Sequence, residues 1–368
     1  MNAVEVLQKY WGYGSFRPLQ EEIVEAVLAH ESVLALLPTG GGKSICFQVP
    51  ALMLKGICIV ISPLIALMQD QIDQLQRRGI KAAAIFSGMS KRQIDITLDN
   101  CLYGNVKFLY VSPERLKSDL FLERSAQMDI SLLAVDEAHC ISQWGYDFRP
   151  PYLDIANFKN HLKIRKVIAL TATATKEVKE DIVAKLEMDG AKQFQKSFAR
   201  ENLSYSVFNL ENKEGKMLQI LNSVKGSSVV YVRSRKKTKE ISDFLRKHGI
   251  SASFYHGGLE TEVRAETQER WIKGEFRVIA ATNAFGMGID KSDVRTVIHL
   301  DLPDTMEAYY QEAGRAGRDG KKAYAILAYH PTDIDRLKQR IEQSHVTPQQ
   351  IRRVYQALCN YFKFAIGS

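Results

Sequence analysis

Short apolar runs alternate along the chain with longer amphipathic stretches. The runs are about five residues long and rich in β-branched side chains, which is typical of strands covered on both faces. In the first half they are Val33 to Leu37, Ile57 to Ile61, Phe108 to Val111, Leu132 to Val135 and Val167 to Leu170. Helical stretches such as Leu64 to Arg78 separate them. This alternation predicts βαβ units and a parallel sheet.

The same alternation restarts after about residue 205. The predicted strands are Val229 to Val232, Ser253 to Tyr255, Val278 to Ala281 and Val297 to Leu300. The predicted helices are Lys236 to His248, Glu260 to Lys273, Thr332 to Gln343 and Pro348 to Phe364. The polar stretch Phe198 to Lys216 lacks a clear period, which favours a linker there.

The predicted organisation is therefore two α/β domains in series, over residues 1–205 and 206–340. Residues 341–368 are expected to be the truncated start of a helical C-terminal region. A length of 368 residues fits two domains. The net charge of +8 favours a polyanionic partner or an acidic membrane surface, although a merely soluble basic protein would explain it equally well.

The cysteines and the lack of long apolar segments limit which classes of protein fit this sequence. The five cysteines contain no C-x-x-C pair, and their number is odd: Cys46, Cys58, Cys101, Cys140 and Cys359. A disulfide framework or a structural zinc site is not expected. No secretory signal pattern opens the chain, and no apolar run approaches the ~20 residues that span a bilayer. We expect an intracellular protein without a membrane partner.

A glycine-rich segment follows the first predicted strand and precedes a helical run. It reads Thr39, Gly40, Gly41, Gly42, Lys43 and Ser44. Glycines let backbone N–H groups surround phosphate oxygens, and the helix N-terminus adds partial positive charge. Lys43 is predicted to reach the phosphates of ATP, and the Ser44 hydroxyl to hold Mg²⁺. Leu37 stands where the strict phosphate-loop pattern has glycine, so the match is to a looser variant.

Two carboxylates follow the strand Leu132 to Val135. Asp136 is predicted to make a second contact to Mg²⁺, and Glu137 to orient and deprotonate the attacking water. An Asp-Glu pair alone is usually a solvated turn. Its position after a strand favours the catalytic interpretation.

The segment from Tyr13 to Gln20 precedes the glycine-rich loop. Ser15 as N-cap and Pro18 in the first turn predict a helix start there. The Gln20 amide can pair with adenine, and the Tyr13 ring can stack on the base. A core tyrosine and a surface glutamine are equally consistent with these residues.

Two arginines lie three residues apart among small residues in the second half. Arg315 and Arg318 are predicted to share one face of a helical turn and to stabilise charge on the transferred phosphoryl group. Without context such arginines more often form ordinary salt bridges. If the two domains face each other, these arginines complete the ATP site on closure.

Together these motifs resemble superfamily 2 helicases, and specifically the RecQ family, over about residues 5 to 330. The segment His139 to Pro150 resembles the aromatic-rich loop of the family, and aromatic rings beside arginine suit single-stranded bases. Ser62 to Gln71 and Ser112 to Leu116 look like strand-contacting motifs of the first domain. Tyr231 to Arg235, His256 to Leu259 and Ala281 to Asp290 resemble second-domain motifs.

The resemblance implies two tandem RecA-like domains, with parallel sheets flanked by helices and a short helical extension. It also implies a DNA-stimulated ATPase and 3′-to-5′ DNA helicase with ATP and Mg²⁺ as cofactors. The additional ATP-binding candidates are Arg17, Gly288 and Asp290. The candidates for DNA binding or coupling are Gln69, His139, Gln143, Trp144, Phe148, Arg149 and Thr171.

The implied partner is DNA, either single-stranded or at junctions between single strand and duplex. The family resemblance places the protein in repair or recombination, in the cytoplasm with the nucleoid in a bacterium or in the nucleus of a eukaryote. RecQ proteins typically continue into a cysteine-rich zinc subdomain, but Cys359 is the only cysteine after Cys140. No zinc is therefore expected in this chain, and robust duplex unwinding is in doubt.

Three other functions fit parts of the same pattern. An RNA helicase shares the Asp136-to-His139 motif, although the aromatic loop and Gln20 favour the RecQ interpretation. A translocase could move along DNA without separating strands. A non-catalytic scaffold would be expected to lack Glu137 or an arginine, and neither is missing.

Overall fold

The computed structural model describes residues 1–30, 32–38, 40–145, 147–197, 199–286, 291–344 and 347–362. Within these ranges the strands form two separate parallel sheets, one in each half of the chain. This confirms the predicted α/β fold with parallel sheets flanked by helices.

The first sheet has seven strands. They are β1 (Ser32–Leu36), β2 (Ile57–Ile61), β3 (Ala82–Ile85), β4 (Phe108–Val111), β5 (Ile130–Val135), β6 (Val167–Thr171) and β7 (Lys192–Gln195). Their spatial order is β3-β4-β2-β5-β6-β1-β7, and every pairing is parallel. The carboxyl ends of all strands therefore lie along one edge, where a ligand site is expected in an open α/β sheet.

Among the described residues, eight α-helices accompany the first sheet. They are α1 (Ala3–Trp11), α2 (Gln20–Ala29), α3 (Ile45–Met53), α4 (Ile65–Arg77), α5 (Lys91–Tyr103), α6 (Asp119–Ser125), α7 (Asp154–His161) and α8 (Lys176–Lys185). Short 3₁₀ turns cover Pro113–Lys117, Ala138–Ile141 and Pro150–Leu153. Apolar clusters fill both faces of the sheet, which explains why strands such as β2 are apolar at every position.

The second sheet has six strands. They are β8 (Leu203–Asn209), β9 (Ser227–Tyr231), β10 (Ala252–Tyr255), β11 (Val278–Ala281), β12 (Val294–His299) and β13 (Ala323–Tyr329). The order is β10-β11-β9-β12-β13-β8. The accompanying helices are α9 (Lys213–Ser223), α10 (Arg235–Lys247), α11 (Thr261–Ile272) and α12 (Met306–Ala313). Buried apolar residues again cover both faces.

The predicted linker from Phe198 to Lys216 is wrong. This stretch contains β8 and the first turn of α9, and β8 crosses position 205, where the sequence predicts the domain boundary. β8 is an edge strand in which Leu203 is buried while Tyr205 and Val207 are exposed. Because half of its side chains face water, the strand lacks the apolar run that identifies a central strand. Phe198 itself lies outside the described residues.

Two helices follow the second sheet, α13 (Pro331–Ser344) and α14 (Pro348–Phe362). Both were predicted within about two residues of their observed ends. Asp333 fixes α13 to the second domain through a 2.8 Å ion pair with Lys213, which lies at the start of α9. None of the described helices combines the length and apolarity needed to cross a membrane.

Candidate active site

The glycine-rich loop connects β1 to α3 at the carboxyl edge of the first sheet. Gly40 and Gly42 have φ values of 79° and 75°, a region that favours glycine because it lacks a Cβ atom. The Gly41 amide donates to Pro38 O at 2.8 Å and tightens the turn. The loop delivers Lys43 and Ser44 to the N-terminal end of α3, as the sequence predicts for a phosphate site. Thr39 lies outside the described residues.

Gln20 is buried against this loop. Its Nε2 donates to Gly41 O at 3.2 Å and to Gly42 O at 3.0 Å, and its Oε1 accepts from the Arg17 amide at 2.9 Å. Arg17 Nη1 donates to Gly40 O at 2.6 Å. The structure therefore brings Arg17 and Gln20 to the loop backbone. Sequence reasoning assigned the Gln20 amide to adenine and did not foresee these bonds.

The predicted helix start at Ser15 is wrong. α2 begins at Gln20, and the residue before it, Leu19, has a left-handed φ of 71° without a side-chain cap. The segment from Tyr13 to Pro18 instead crosses the loop surface, where the Arg17 and Gln20 contacts hold it. Tyr13 is 55% exposed, so its ring is accessible to a base.

Asp136 and Glu137 follow β5, at the same edge as the glycine-rich loop. The Asp136 amide donates to Ile61 O at 2.9 Å, and the Tyr152 hydroxyl donates to Asp136 O at 2.9 Å. Glu137 has a left-handed φ of 47°, which is uncommon for a non-glycine residue and typical of functional positions. These bonds fix the two carboxylates in a strained turn.

The electrostatics of this pair favour a cation. Burial and the Glu137 carboxylate raise the pKa of Asp136 to about 7, while Lys43 and the Glu137 amide oppose the shift. Glu137 is 7% exposed, and its Oε2 has no hydrogen-bond partner among the described residues. Carboxylates and serine hydroxyls are the hard oxygen donors that Mg²⁺ prefers, and the influence of Lys43 on Asp136 shows that the phosphate loop lies close to this pair. Asp136 and Ser44 therefore fit the predicted metal site.

His139 links the carboxylate pair to β6. Its Nδ1 lies 2.9 Å from Thr171 Oγ1 and 3.4 Å from Glu137 Oε2. Thr171 Oγ1 donates to Thr173 O at 3.0 Å. Burial lowers the pKa of His139, although Glu137 opposes the shift, so the imidazole is neutral at pH 7. His139, predicted as a coupling residue, therefore lies between Glu137 and Thr171, the other predicted coupling residue on β6.

The aromatic loop leaves this site toward solvent. Trp144 is 75% exposed and Gln143 is exposed, whereas Phe148 is partly buried. The Trp144 amide donates to Ser142 Oγ at 3.2 Å, and this hydroxyl donates to Asp181 Oδ2 at 2.7 Å. A fixed turn thus presents the indole to solvent, so Trp144 is not a core residue. Tyr146 lies outside the described residues.

Arg149 anchors the far end of the loop. Its Nε and Nη2 donate to Asp147 Oδ2 at 3.1 and 3.0 Å, and its Nη1 donates to Pro63 O at 2.8 Å. The guanidinium therefore joins the aromatic loop to the segment after β2, which the sequence predicts to contact a strand. Gln69, in α4, is exposed and donates to Asp73 Oδ1 at 2.8 Å.

The arginine turn, residues 314–319, comes from the second domain. Here the predicted helical turn is wrong, because α12 ends at Ala313 and both arginines lie in the non-helical turn that follows. Arg315 is buried, and the Arg318 side chain reaches the first domain. A methyl group on Gly40 would lie 3.1 Å from Arg318 Cγ. The structure thus brings Arg318 to the phosphate loop.

Two residues that sequence reasoning missed hold the arginine turn. Arg200 Nη1 donates to Gly314 O at 3.0 Å, and Asn202 Nδ2 donates to Gly317 O at 2.8 Å and to Lys321 O at 2.9 Å. Both precede β8 in the stretch interpreted as linker, where no local pattern indicates a role. Gly288 and Asp290, predicted to bind ATP, lie outside the described residues.

A phosphate loop, a carboxylate pair and an arginine from a second parallel-sheet domain define a motor ATPase of the helicase type. Residues 17–181 match the DEAD/DEAH box helicase family, and residues 212–320 match the helicase conserved C-terminal domain. The chain is 42% identical to the probable ATP-dependent DNA helicase RecS of Bacillus subtilis, covering 96% of this chain and 72% of that protein. It is 45% identical to the ATP-dependent DNA helicase RecQ of Bacillus subtilis, covering 95% and 59%. The chain belongs to the RecQ family of superfamily 2 helicases.

Solved structures support the fold. Helicase Lhr of Mycobacterium smegmatis, bound to single-stranded DNA and AMP-PNP, superimposes with a TM-score of 0.71 at 21% identity, covering 93% of this chain and 50% of that chain. Dbp5 of S. cerevisiae, bound to RNA and ADP BeF₃, gives 0.68 at 20% identity, covering 92% and 90%. These matches confirm tandem RecA-like domains. The chain spans 55% to 72% of the first four curated relatives.

Proposed function

We propose that this chain is the motor of an ATP-dependent DNA helicase that binds ATP between its two domains. The observation that carries the proposal is the packing of the aliphatic part of Arg318 against Gly40, which supports a role for a second-domain arginine at the phosphate loop. A site completed by two domains couples hydrolysis to their relative motion, because closing and opening move both sheets.

The chain supplies each group that phosphoryl transfer needs. Gly40, Gly41, Gly42 and Lys43 would hold the phosphates, and Arg17 and Gln20 would meet the nucleotide beside them. Ser44 and Asp136 would hold Mg²⁺, which neutralises charge on the phosphate oxygens when it is bound. Glu137 is the proposed base for the attacking water, since its buried Oε2 makes no hydrogen bond among the described residues and lies 3.4 Å from His139 Nδ1.

Arg315 and Arg318 are the proposed stabilisers of charge on the transferred phosphoryl group. The Nε of Arg315 is buried and donates to no acceptor among the described residues. The arginine turn is not preformed by a helix, so the Arg200 and Asn202 contacts keep it in position.

Single-stranded DNA is the proposed partner, with junctions between single strand and duplex as the preferred substrate. The names of the relatives, the net charge of +8 and the exposed Trp144 support this choice. A base stacked on Trp144 would shift the segment that connects Trp144 to His139. His139 in turn contacts Glu137 and Thr171. This route would report strand occupancy to the proposed base. We propose 3′-to-5′ movement on the family resemblance alone.

Phosphate release with and without a single-stranded DNA oligomer is the direct test. We expect DNA to stimulate the wild type, and Lys43→Ala to lose about 100-fold or more of the stimulated rate. Lys55→Ala is the matched control, because Lys55 is exposed on the loop before β2, at the opposite edge of the sheet. Equal slow hydrolysis by the wild type and Lys43→Ala would refute the proposal.

Two further comparisons separate related functions. A matched RNA oligomer that stimulates hydrolysis better than DNA would indicate an RNA helicase. A translocase without unwinding would displace streptavidin from biotinylated DNA but leave a 3′-tailed duplex intact.

A further inference from the structure

A second group of buried polar side chains lies inside the second domain. It borders a cavity of about 340 Å³ at the carboxyl ends of β9 and β12. The cavity lining includes Arg233, Ser234 and Asn283, which belong to segments that resemble second-domain helicase motifs, together with His299 and Glu312. The order of strands in the sheet changes direction here, since β10 and β11 lie on one side of β9 and β12 lies on the other. Such a position commonly holds a ligand in parallel sheets.

His299 is the last residue of β12 and is 1% exposed. Its Nε2 lies 2.8 Å from Glu312 Oε2, in the last turn of α12. The imidazole stacks on Tyr231 with ring centroids 5.1 Å apart, and the Tyr309 ring meets its edge at 5.0 Å. These contacts hold the ring in one orientation and direct Nε2 at the carboxylate.

The other ring nitrogen has a different environment. His299 Nδ1 is buried and has no hydrogen-bond partner among the residues that the structure describes. A buried nitrogen without a partner is costly, and an apolar ring of the same size would avoid that cost. Packing alone therefore does not account for a histidine here, whereas the bond to Glu312 does.

Glu312 lies three residues before Arg315. The Arg315 amide donates to Glu312 O at 3.2 Å, so the carboxylate and the arginine belong to the same turn of chain. On the other side, the Tyr231 hydroxyl donates to Phe285 O at 2.7 Å and also contacts the Arg315 side chain. His299, through Glu312 and Tyr231, thus supports the base of the arginine turn from two sides.

We infer that His299 and Glu312 are a positioning pair that holds Arg315 in place for ATP hydrolysis and connects the cavity to the arginine turn. Neither residue touches the nucleotide, and both act through Arg315. This inference rests on the proposed function, because it assigns a role within that ATP site. A strand phosphate beside Arg233 and Asn283 would contact the cavity that His299 and Glu312 also line.

A double-mutant cycle on ATP hydrolysis tests the pair. With saturating single-stranded DNA, His299→Leu and Glu312→Leu are each expected to lower kcat about tenfold and to change KM for ATP by less than about twofold. The double variant should be no slower than either single variant, because one shared interaction is lost only once. His299→Gln can place an amide donor near the position of Nε2 and should recover most of the rate.

Two variants guard against a merely structural effect. Glu312→Gln keeps the shape of the side chain but removes its charge, so kcat should fall about threefold while the thermal midpoint stays unchanged. Tyr309→Phe keeps the ring beside His299 and removes a hydroxyl that makes no hydrogen bond within the described part of the chain, and it should behave as wild type. If a leucine variant fails to fold, His299→Gln and Glu312→Gln decide the question.

Additive losses in the cycle, or wild-type kcat in both Glu312 variants, would overturn the positioning role while leaving the ATPase proposal intact. Absence of DNA-stimulated hydrolysis in the wild type would instead overturn both proposals. The two failures are therefore distinguishable in one assay.

Discussion

The carboxyl edges of the two sheets share a plan but differ in what fills them. β8, β9, β10, β11, β12 and β13 occupy the same relative positions as β1, β2, β3, β4, β5 and β6. A lysine lies near the helix after the first strand in both domains, Lys43 before α3 and Lys213 at the start of α9. An aspartate follows the central strand in both, Asp136 after β5 and Asp301 beyond β12.

The connecting loops explain the difference. The residues between β1 and α3 run from Leu37 to Ser44 and include three consecutive glycines. The residues between β8 and α9 run only from Leu210 to Asn212 and include no glycine. A short connection without glycine cannot curl its amides around a phosphate.

The second edge is satisfied by the protein itself. Lys213 Nζ lies 2.8 Å from Asp333 Oδ2 and 3.8 Å from Asp301 Oδ1, and it also donates to Leu300 O. The first edge instead crowds Asp136 against Glu137 near Lys43. The same topology thus gives an internal ion pair in one domain and a charge arrangement that favours an added cation in the other.

Replacing Lys43 and Lys213 by alanine in separate variants should give the largest difference between a catalytic lysine and a structural one. Lys43→Ala should abolish DNA-stimulated hydrolysis and leave the thermal midpoint nearly unchanged. Lys213→Ala removes the partly buried ammonium shared by Asp333 and Asp301 and leaves them the more exposed cations of Arg336 and Lys237, so it should lower the free energy of unfolding by about 3 kcal/mol. Its rate, measured below the new midpoint, should stay within about threefold of wild type. Loss of catalysis in a stable Lys213→Ala protein would break the comparison.

Asp333 at the second edge and Asp136 at the first should affect stability in opposite directions as the pH changes. Burial alone would raise the pKa of Asp333, but the Lys213 ammonium and the His330 amide outweigh it and hold the pKa below its usual range. The ionised Asp333 carboxylate therefore stabilises the protein above the pKa of the unfolded state. This stabilisation is lost as the pH falls through the folded pKa. The pKa of Asp136 is raised, so its ionised form destabilises the metal-free protein at higher pH. At pH 8 with EDTA, Asp333→Asn should lower the free energy of unfolding by about 2 kcal/mol. Asp136→Asn should raise the thermal midpoint, and a decrease there would contradict the account of the first edge.

Substitutions in the two connecting loops, between β1 and α3 and between β8 and α9, give the smallest expected effects on ATP binding and stability. A methyl group on Gly42 would collide with Gln20 Nε2, and the backbone there has a φ of 75°. Gly42→Ala should therefore raise KM for ATP about tenfold. Asn212→Ala removes the cap that accepts from the Gly215 amide at 2.8 Å, and should cost about 1 kcal/mol of stability with unchanged KM. Similar KM changes in both variants would show that the loops are not functionally distinct.

Structural features could be predicted from the sequence wherever neighbouring residues in the chain determine them. β2, β4 and β11 have the predicted limits, because strands buried on both faces are apolar at every position. The phosphate loop was equally visible, since its glycines, lysine and serine are adjacent in the chain.

Features that depend on distant residues could not be predicted. β8 is an edge strand whose alternating pattern resembles a polar linker until β13 pairs with it. The bonds of Gln20 to Gly41 and Gly42 join residues more than twenty positions apart. The arginine turn is held by Arg200 and Asn202, which lie more than one hundred positions away and have no local signature.

The central claim is that an arginine of the second domain completes the ATP site of the first. The most direct measurement is the hydrolysis rate of Arg318→Ala with saturating single-stranded DNA, beside equilibrium binding of a fluorescent ATP analogue. The account predicts a kcat about 100-fold below wild type with a Kd within about threefold, because the guanidinium stabilises charge that develops during transfer. A wild-type hydrolysis rate in a folded Arg318→Ala protein would contradict the claim.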